Sequence, residues 1–196
     1  MNMYKNLMLI ATFFCTSVQA NSVMGPIDLR QEAECLALNI YHEARSERTA
    51  GMWAVADVTI NRVKSISYPD TVCEVVYQGP VYESWKTARF PGIADEMRIF
   101  NPVKGQCQFS WYCDGKSDKI QVVYEKGSAK GKQIGPNMEA WKQSVQVSLL
   151  ALKGVTIDPT SGATHYYNHN ISSPNWGQVY PVVAILSNHT FLVRND

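Results

Sequence analysis

Charge is what this sequence has least of. Charged residues are 18% of its 196 positions, and they nearly cancel, leaving a net charge of +1. A typical soluble domain carries about a quarter. Without a basic tract there is nothing to neutralise phosphates, so nucleic acid is not an expected partner. A glycine-rich phosphate loop is missing, and so is the G-x-S-x-G elbow of a serine hydrolase. His42-Glu43 starts like the zinc-protease motif H-E-x-x-H, but Ser46 stands where the second histidine must be. Two histidines on one helix face grip the zinc, so the motif fails. Internal repeats and low-complexity linkers are also lacking. No apolar run approaches the ~20 residues of a membrane-spanning helix.

The longest such run, Leu7 to Phe14, has other company. Lys5 precedes it and Val18-Gln19-Ala20 follows, which fits the small-x-small cleavage rule. Residues 1–20 are therefore read as an export signal, with an uncleaved anchor as the alternative. Residues 21–196 are read as one domain, with a secreted or periplasmic location and no stable membrane insertion after cleavage. Cys15 leaves with the signal, and Cys35, Cys73, Cys107 and Cys113 remain. An even number in an exported chain suggests two disulfides, in one of three pairings. The favoured pairs are Cys107–Cys113, a short local loop, and Cys35–Cys73, joining the first helix to the segment after the second. The rival is a four-thiolate zinc site, weakened by the lack of any C-x-x-C knuckle.

Periodicity predicts three helices. Asp28 caps the first, with Gln31 at the capping-box position. Ala33, Leu36, Ala37, Ile40, Tyr41 and Ala44 form its apolar stripe. At about 100° per residue, Glu43 lies at the border of that stripe and Glu47, one turn on, falls on the same side. The second helix starts near Thr49, with Met52, Val55, Ala56, Thr59, Ile60 and Val63 on one face and Asn61-Arg62 near its end. Tyr68-Pro69-Asp70 breaks it. Asn137 is expected to cap a third, burying Met138, Trp141, Val145, Leu149 and Leu152 and stopping at Gly154. Between them, residues 79–137 have weak periodicity. Gln106 to Asp114 reads as an aromatic loop, and Val122-Val123-Tyr124 as a short strand. Ala163 to Asn168 and Val182 to Val193 are rich in β-branched and aromatic residues, the second as a hairpin turning at Ser187-Asn188. The fold class is α+β, mainly helical in its N-terminal part, with a small β element and a C-terminal hairpin.

The chemistry falls to carboxylates. With every retained cysteine given a partner, a cysteine nucleophile is not expected. His165 and His169 are four apart in a strand-like or loop stretch, where that spacing means little, and His189 is read as structural. The stretch NIYHEARSE, residues 39 to 47, places Glu43 and Glu47 four apart beside His42 and Arg45. Cleaving a glycosidic bond needs an acid that keeps its proton near neutral pH. Partial burial and a nearby like charge both raise a carboxyl pKa, and Glu43 has both in prospect. The bland alternative is two solvated glutamates balanced by Arg45 and Arg48. Aromatics at 11% with so little charge suit a neutral polymer such as sugar. Gln108, Phe109 and Trp111 combine an amide with ring faces, as sugar binding requires, although core packing beside a disulfide explains them too. Trp176, in the loop Ser-Pro-Asn-Trp-Gly, reads as an exposed stacking residue. No metal or other cofactor is required.

Five stretches narrow the reading: ECLALNIYHEARSE, AVADVTINRVKSISYPDTVCEVVYQ, QCQFSWYCDG, ATHYYN and NHTF, in that order from residue 34 to 191. Together they make the chain resemble the SleB-like cell-wall hydrolase family, which includes a spore cortex-lytic enzyme. The resemblance implies a lysozyme-like fold and peptidoglycan glycan strands as substrate. It also implies Glu43 as the acid, with Glu47 in support. The family often has glycine before that second glutamate, where this chain has Ser46. Its spore enzyme carries a separate wall-binding module, and none is read here. Tyr166, Tyr167 and Asn168 loosely resemble the Tyr-Asn element that lytic transglycosylases place opposite their glutamate.

A two-carboxylate hydrolase needs a second acid across the sugar, about 5 Å away for retention and farther for inversion. Glu47 would sit behind Glu43, and Asp57, Asp114 and Asp118 have no supporting context. A lytic transglycosylase needs one glutamate only, so this is the preferred reading. A muramidase-type hydrolase and a non-catalytic peptidoglycan-binding protein are the alternatives. Oligomeric state is not legible, and a monomer is the default.

Overall fold

A computed structural model describes residues 28–120, 136–155 and 158–194. The expected signal at 1–20 and the expected strand at 122–124 lie outside the described residues.

Helix α1, Leu29–Ala44, begins as its sequence demands. The Asp28 carboxylate accepts the Arg30 amide at 3.0 Å, satisfying one of the free donors at the helix start. All six residues of the expected stripe are buried. The helix stops sooner than its periodicity suggested. After Ala44 the chain turns, with the Glu47 amide on the Ala44 carbonyl at 3.0 Å. Glu47 therefore lies in a turn between helices and not on the face of Glu43.

Helix α2, Thr49–Lys64, starts where expected and ends four residues before Tyr68. It is buried on more than one side, where a single apolar face had been expected. Met52, Val55 and Ala56 join the core shared with α1. Ala54 and Val58 pack on Ala163 and Phe191 of the C-terminal segment. Small side chains on the second face let a sheet approach the helix closely, and they carry little hydropathy signal. Next come a short helix α3, Val72–Val76, and a ribbon of β1, Val81–Glu83, on β2, Phe100–Pro102. Helix α4, Trp85–Ala88, sits inside that ribbon's connection.

Helix α5, Pro136–Leu152, packs on both α1 and α2. Asn137, the expected cap, falls inside its first turn. Its buried face meets the expectation in part, since Met138 is buried and Trp141 and Leu152 pack against the core. Ala140, Ser144, Val147, Ser148 and Ala151 are buried, whereas Leu149 is 46% exposed. Each serine hydroxyl finds a carbonyl, Ser144 on Ala140 at 2.8 Å and Ser148 on Ala33 of α1 at 2.6 Å. A stripe of small residues allows two backbones to come close enough for that second bond. Gly154, at φ +72°, ends the helix as expected, with Val155 N on Leu150 O and Gly154 N on Ala151 O.

The C-terminal sheet has the order β3-β5-β4, all antiparallel. β3 is His165–Asn168, β4 is Val182–Leu186 and β5 is His189–Leu192. The hairpin turns at Ser187-Asn188 as expected, with Leu186 opposite His189 and Ser187 at φ +49°. β5 is buried along its length, its Phe191 fully so. The end of α2 ties down this sheet. Asn61 donates to the Ala163 carbonyl at 3.2 Å and to Asp158 at 3.0 Å, and Arg62 Nε donates to the Thr164 carbonyl at 2.7 Å.

The four retained cysteines pair as favoured, Cys35–Cys73 and Cys107–Cys113, which overturns the zinc alternative. The first disulfide holds α3 to α1, and a carboxylate helps it. Glu32 is 9% exposed, and its oxygens accept the amides of Val72 and Cys73 at the α3 N-terminus. The described structure is α+β. Among the described residues no helix is long and apolar enough to cross a membrane. Replacing Glu32 by alanine leaves those buried amides unpaired, at a cost of about 1–3 kcal/mol. Urea unfolding of Glu32→Ala is expected to show that loss. An unchanged midpoint and slope would contradict the capping role.

Candidate active site

Three elements bring one side chain each to the floor of a cleft of about 770 Å³. Glu43 comes from the last turn of α1, Arg62 from the last turn of α2, and Tyr166 from β3. The Tyr166 hydroxyl donates to Glu43 Oε2 at 3.0 Å. The backbone contacts of Asn61 and Arg62 hold β3 just before Tyr166, so the helix end sets this distance. Arg62 is 4% exposed, and its guanidinium stands 4.9 Å from the Phe109 ring centroid and 5.4 Å from that of Tyr68.

Burial raises the Glu43 carboxyl above the ordinary 4.5, opposed by the Tyr166 hydrogen bond and the positive charge of Arg62. The expected help from Glu47 is not among the causes. Tyr166 itself is pushed well above the usual phenol value, by burial and then by the charge of Glu43, so the shared proton stays on the tyrosine. Burial thus disfavours the charge of this carboxyl, while the Tyr166 hydroxyl and Arg62 favour it.

The neighbouring wall rests on buried packing. Trp111 is 7% exposed, donates its Nε1 hydrogen to Asn39 at 3.0 Å, and stacks on His42 at 4.5 Å between ring centroids. Asn39 in turn donates to Thr59 at 3.1 Å, so one polar chain pins the 106–114 loop to both α1 and α2. Phe109 is 2% exposed and lies beneath Arg62. Both residues line the cleft, but they act as its foundation more than as open stacking surfaces. Gln108, Tyr167 and Asn168 line it as well. Trp176 lines a second, adjoining cavity.

Glu47 is not part of the lining. Its side chain is 5% exposed, accepts Asn188 Nδ2 at 3.2 Å, and lies 3.7 Å from His189 Nδ1. A glycine makes room for it: a Cβ at Gly51 would fall 2.7 Å from the Glu47 Cβ. His189, expected to be structural, lines the cleft and stands edge-on to Tyr166 at 5.3 Å. Burial lowers its pKa, with Glu47 opposing and His169 adding to the effect. Asp57 is buried in α2, away from the cleft lining. Asp114 and Asp118 do line the cleft, and their charges act on His42, whereas the charge that acts on Glu43 is that of Arg62. Arg62 is the site residue that sequence reasoning passed over. Its signal was present, a full charge three residues after Thr59 on a stripe otherwise apolar.

A family model described as Cell Wall Hydrolase matches residues 46–192. The chain belongs to the cell wall hydrolase family. In this family member Arg62, Tyr166 and His189 fall within the matched span, and Glu43 stands just before it. Two curated relatives, both spore cortex-lytic enzymes of Bacillus cereus, are 27% identical over 162 residues. That covers 83% of this chain and 44% of each relative, so the chain spans less than half their length. Among solved structures, it is similar to the catalytic domain of the germination-specific lytic transglycosylase SleB from Bacillus anthracis. The identity there is 21%, the coverage 83% of this chain and 94% of the other, and the TM-score 0.49. The catalytic domain of Bacillus cereus SleB matches at 21% identity, covering 83% and 90%, with a TM-score of 0.44.

The raised Glu43 carboxyl makes a stability prediction. Its folded value lies above its unfolded one, so between the two the folded chain holds the extra proton and stability falls as pH rises. Glu43→Gln removes that dependence. Thermal melts are expected to find the variant more stable than wild type at pH 8, with the difference gone at pH 4. A wild type more stable than the variant at pH 8 would contradict a carboxyl whose charge is disfavoured by burial.

Proposed function

We infer that this chain is an exported peptidoglycan-degrading enzyme that cleaves the bond between MurNAc and GlcNAc, as a lytic transglycosylase. The observation that carries the reading is the half-buried Glu43 carboxyl at the cleft floor, hydrogen-bonded to Tyr166 and sensing the charge of Arg62. Membership of the cell wall hydrolase family supports the substrate class, and the name of the Bacillus cereus relatives agrees. Two disulfides suit an oxidising, exported setting.

The chemistry follows from one acid. Glu43 gives its proton to the glycosidic oxygen as the bond to the muramic acid C1 breaks. The carboxylate left behind is met by the Tyr166 hydroxyl and by Arg62. It then takes the proton of the same muramic acid's 6-hydroxyl while that oxygen bonds C1, which closes an anhydro ring and restores the acid. No water is consumed. Tyr167 and Asn168 are placed on the glycan side of the cleft in this reading, and Glu47 acts from behind, through His189 and the hairpin. Asp114 and Asp118 keep a second reading open, since a carboxylate in the same cleft could direct water for hydrolysis.

Mass spectrometry of purified peptidoglycan digested with the protein, beside Glu43→Gln, separates these readings. Anhydro-muropeptides from the wild type alone are expected. Reducing-end products would overturn transglycosylation in favour of hydrolysis. An equally active Glu43→Gln would overturn the assignment of the acid. No soluble product, with both proteins still pelleting with the wall, would make the chain a binding protein.

A further inference from the structure

The acid chemistry uses only part of the concave surface. A second cavity of about 430 Å³ adjoins the main cleft and shares Arg62, Cys107, Gln108 and Tyr166 with it. The two differ in character. The main cleft carries Arg45, Asp114, Lys116, Asp118 and Lys119 along its lining. The second has no carboxylate and no lysine, and Arg62 is its one arginine.

What lines it instead is an aromatic group and three amides. His165 stands 4.9 Å from Tyr180 and 5.5 Å from Trp176, measured between ring centroids. Trp176 is also held edge-on by Tyr167 at 5.7 Å. The turn that presents it passes close to β3, where a Cβ at Gly177 would come 2.9 Å from the Tyr167 ring. Trp176 is thus a half-buried ring, held by its neighbours, in the lining of a cavity whose one charged side chain is Arg62. Gln78, Gln106 and Gln108 supply the polar lining.

Two buried polar atoms of residues in this lining have no hydrogen-bond partner among the described residues. One is a donor, Nη1 of Arg62, and the other an acceptor, Oε1 of Gln78. Buried polar groups are nearly always paired, so an unpaired donor and acceptor beside one cavity call for a ligand that supplies both partners. An acetamido group does so, with one carbonyl and one N–H. The sugar ring that bears it has an apolar face for an aromatic wall and hydroxyls for amides. In peptidoglycan the two alternating sugars differ in charge. Muramic acid carries a lactyl ether and a charged stem peptide, while its neighbour carries neither.

We propose that the second cavity is a subsite for the peptide-free N-acetylhexosamine, walled by Trp176 and read by Gln78 and Arg62. The charged end of the main cleft then faces the stem-peptide side, and the strand lies in one direction across Glu43. The inference rests on the glycosidase reading, but its test does not depend on cleavage.

The Glu43→Gln protein is titrated with the tetramer of β-1,4-linked N-acetylglucosamine and, separately, with cellotetraose, which lacks the acetamido groups. The Trp176 indole and Gln78 side-chain amide are followed by ¹H–¹⁵N NMR. The acetylated tetramer is expected to move both signals and to bind at least about tenfold more tightly than cellotetraose, the loss that one missing hydrogen bond to a charged or amide partner brings. Trp176→Ala and Gln78→Leu, each checked for an unchanged fold, are expected to weaken that binding about tenfold, and Lys86→Ala, an exposed residue in neither lining, to leave it unchanged. Equal binding of the two tetramers, shifts confined to the charged end of the main cleft, or no binding would overturn the subsite. If peptidoglycan is still cleaved in those cases, the enzymatic reading survives. Selective binding without cleavage by the wild type would keep the subsite and overturn that reading.

Discussion

A carboxyl that must hold its proton cannot sit in water, and one that must give the proton up cannot sit alone in a core. Glu43, at the edge of α1, stands between these two environments. Burial disfavours its charge, while Tyr166 and Arg62 stand ready to receive it. The rest of the architecture can be read as what this compromise requires. Glu43 and Arg62 lie in the last turns of α1 and α2, and both line one cleft. The Asn61-Arg62 dipeptide then grips the backbone two and three residues before Tyr166. A buried arginine is costly to desolvate unless its hydrogens are used. Here one hydrogen positions the strand, and the rings of Phe109 and Tyr68 cover the guanidinium.

A second layer supports the first. The Asn39–Thr59–Trp111 chain fixes the aromatic loop, and the stacked His42 follows from it. Behind the hairpin, Glu47 fills the space that Gly51 leaves and holds Asn188. His189 links that contact to the Tyr166 ring. Pairings across such long stretches of sequence give the cleft its rigidity. The disulfides tie α3 to α1 and close the 107–113 loop on itself.

Local patterns were more legible in the sequence than long-range ones. The stripe of α1, the cap at Asp28, the hairpin turn and the Gly154 stop each follow from neighbours a few residues apart. Cysteine parity with loop length was enough for both disulfides. The face of α5 was misjudged because hydropathy gives weight to Leu149, whereas close helix packing selected Ala140, Ser144 and Ser148. Glu47 was misplaced because periodicity says nothing about where a helix stops. Glu43 was singled out from its position on the stripe and from the family resemblance, and it lines the cleft. Its partner Tyr166 lies 123 residues away, and no periodicity joins them. Trp111 was legible as an aromatic in a disulfide loop, but its burial depends on Asn39, another distant residue.

The most direct measurement is the titration of the Glu43 side-chain carbon by ¹³C NMR in the folded protein. The account predicts a midpoint above the ordinary glutamate value of 4.5. It also predicts that Tyr166→Phe, which removes a hydrogen bond to the charged form, moves the midpoint higher still. A wild-type midpoint at or below the ordinary value would mean that Arg62 and Tyr166 outweigh burial. Glu43 would then be a structural carboxylate, and the cleft would need another acid.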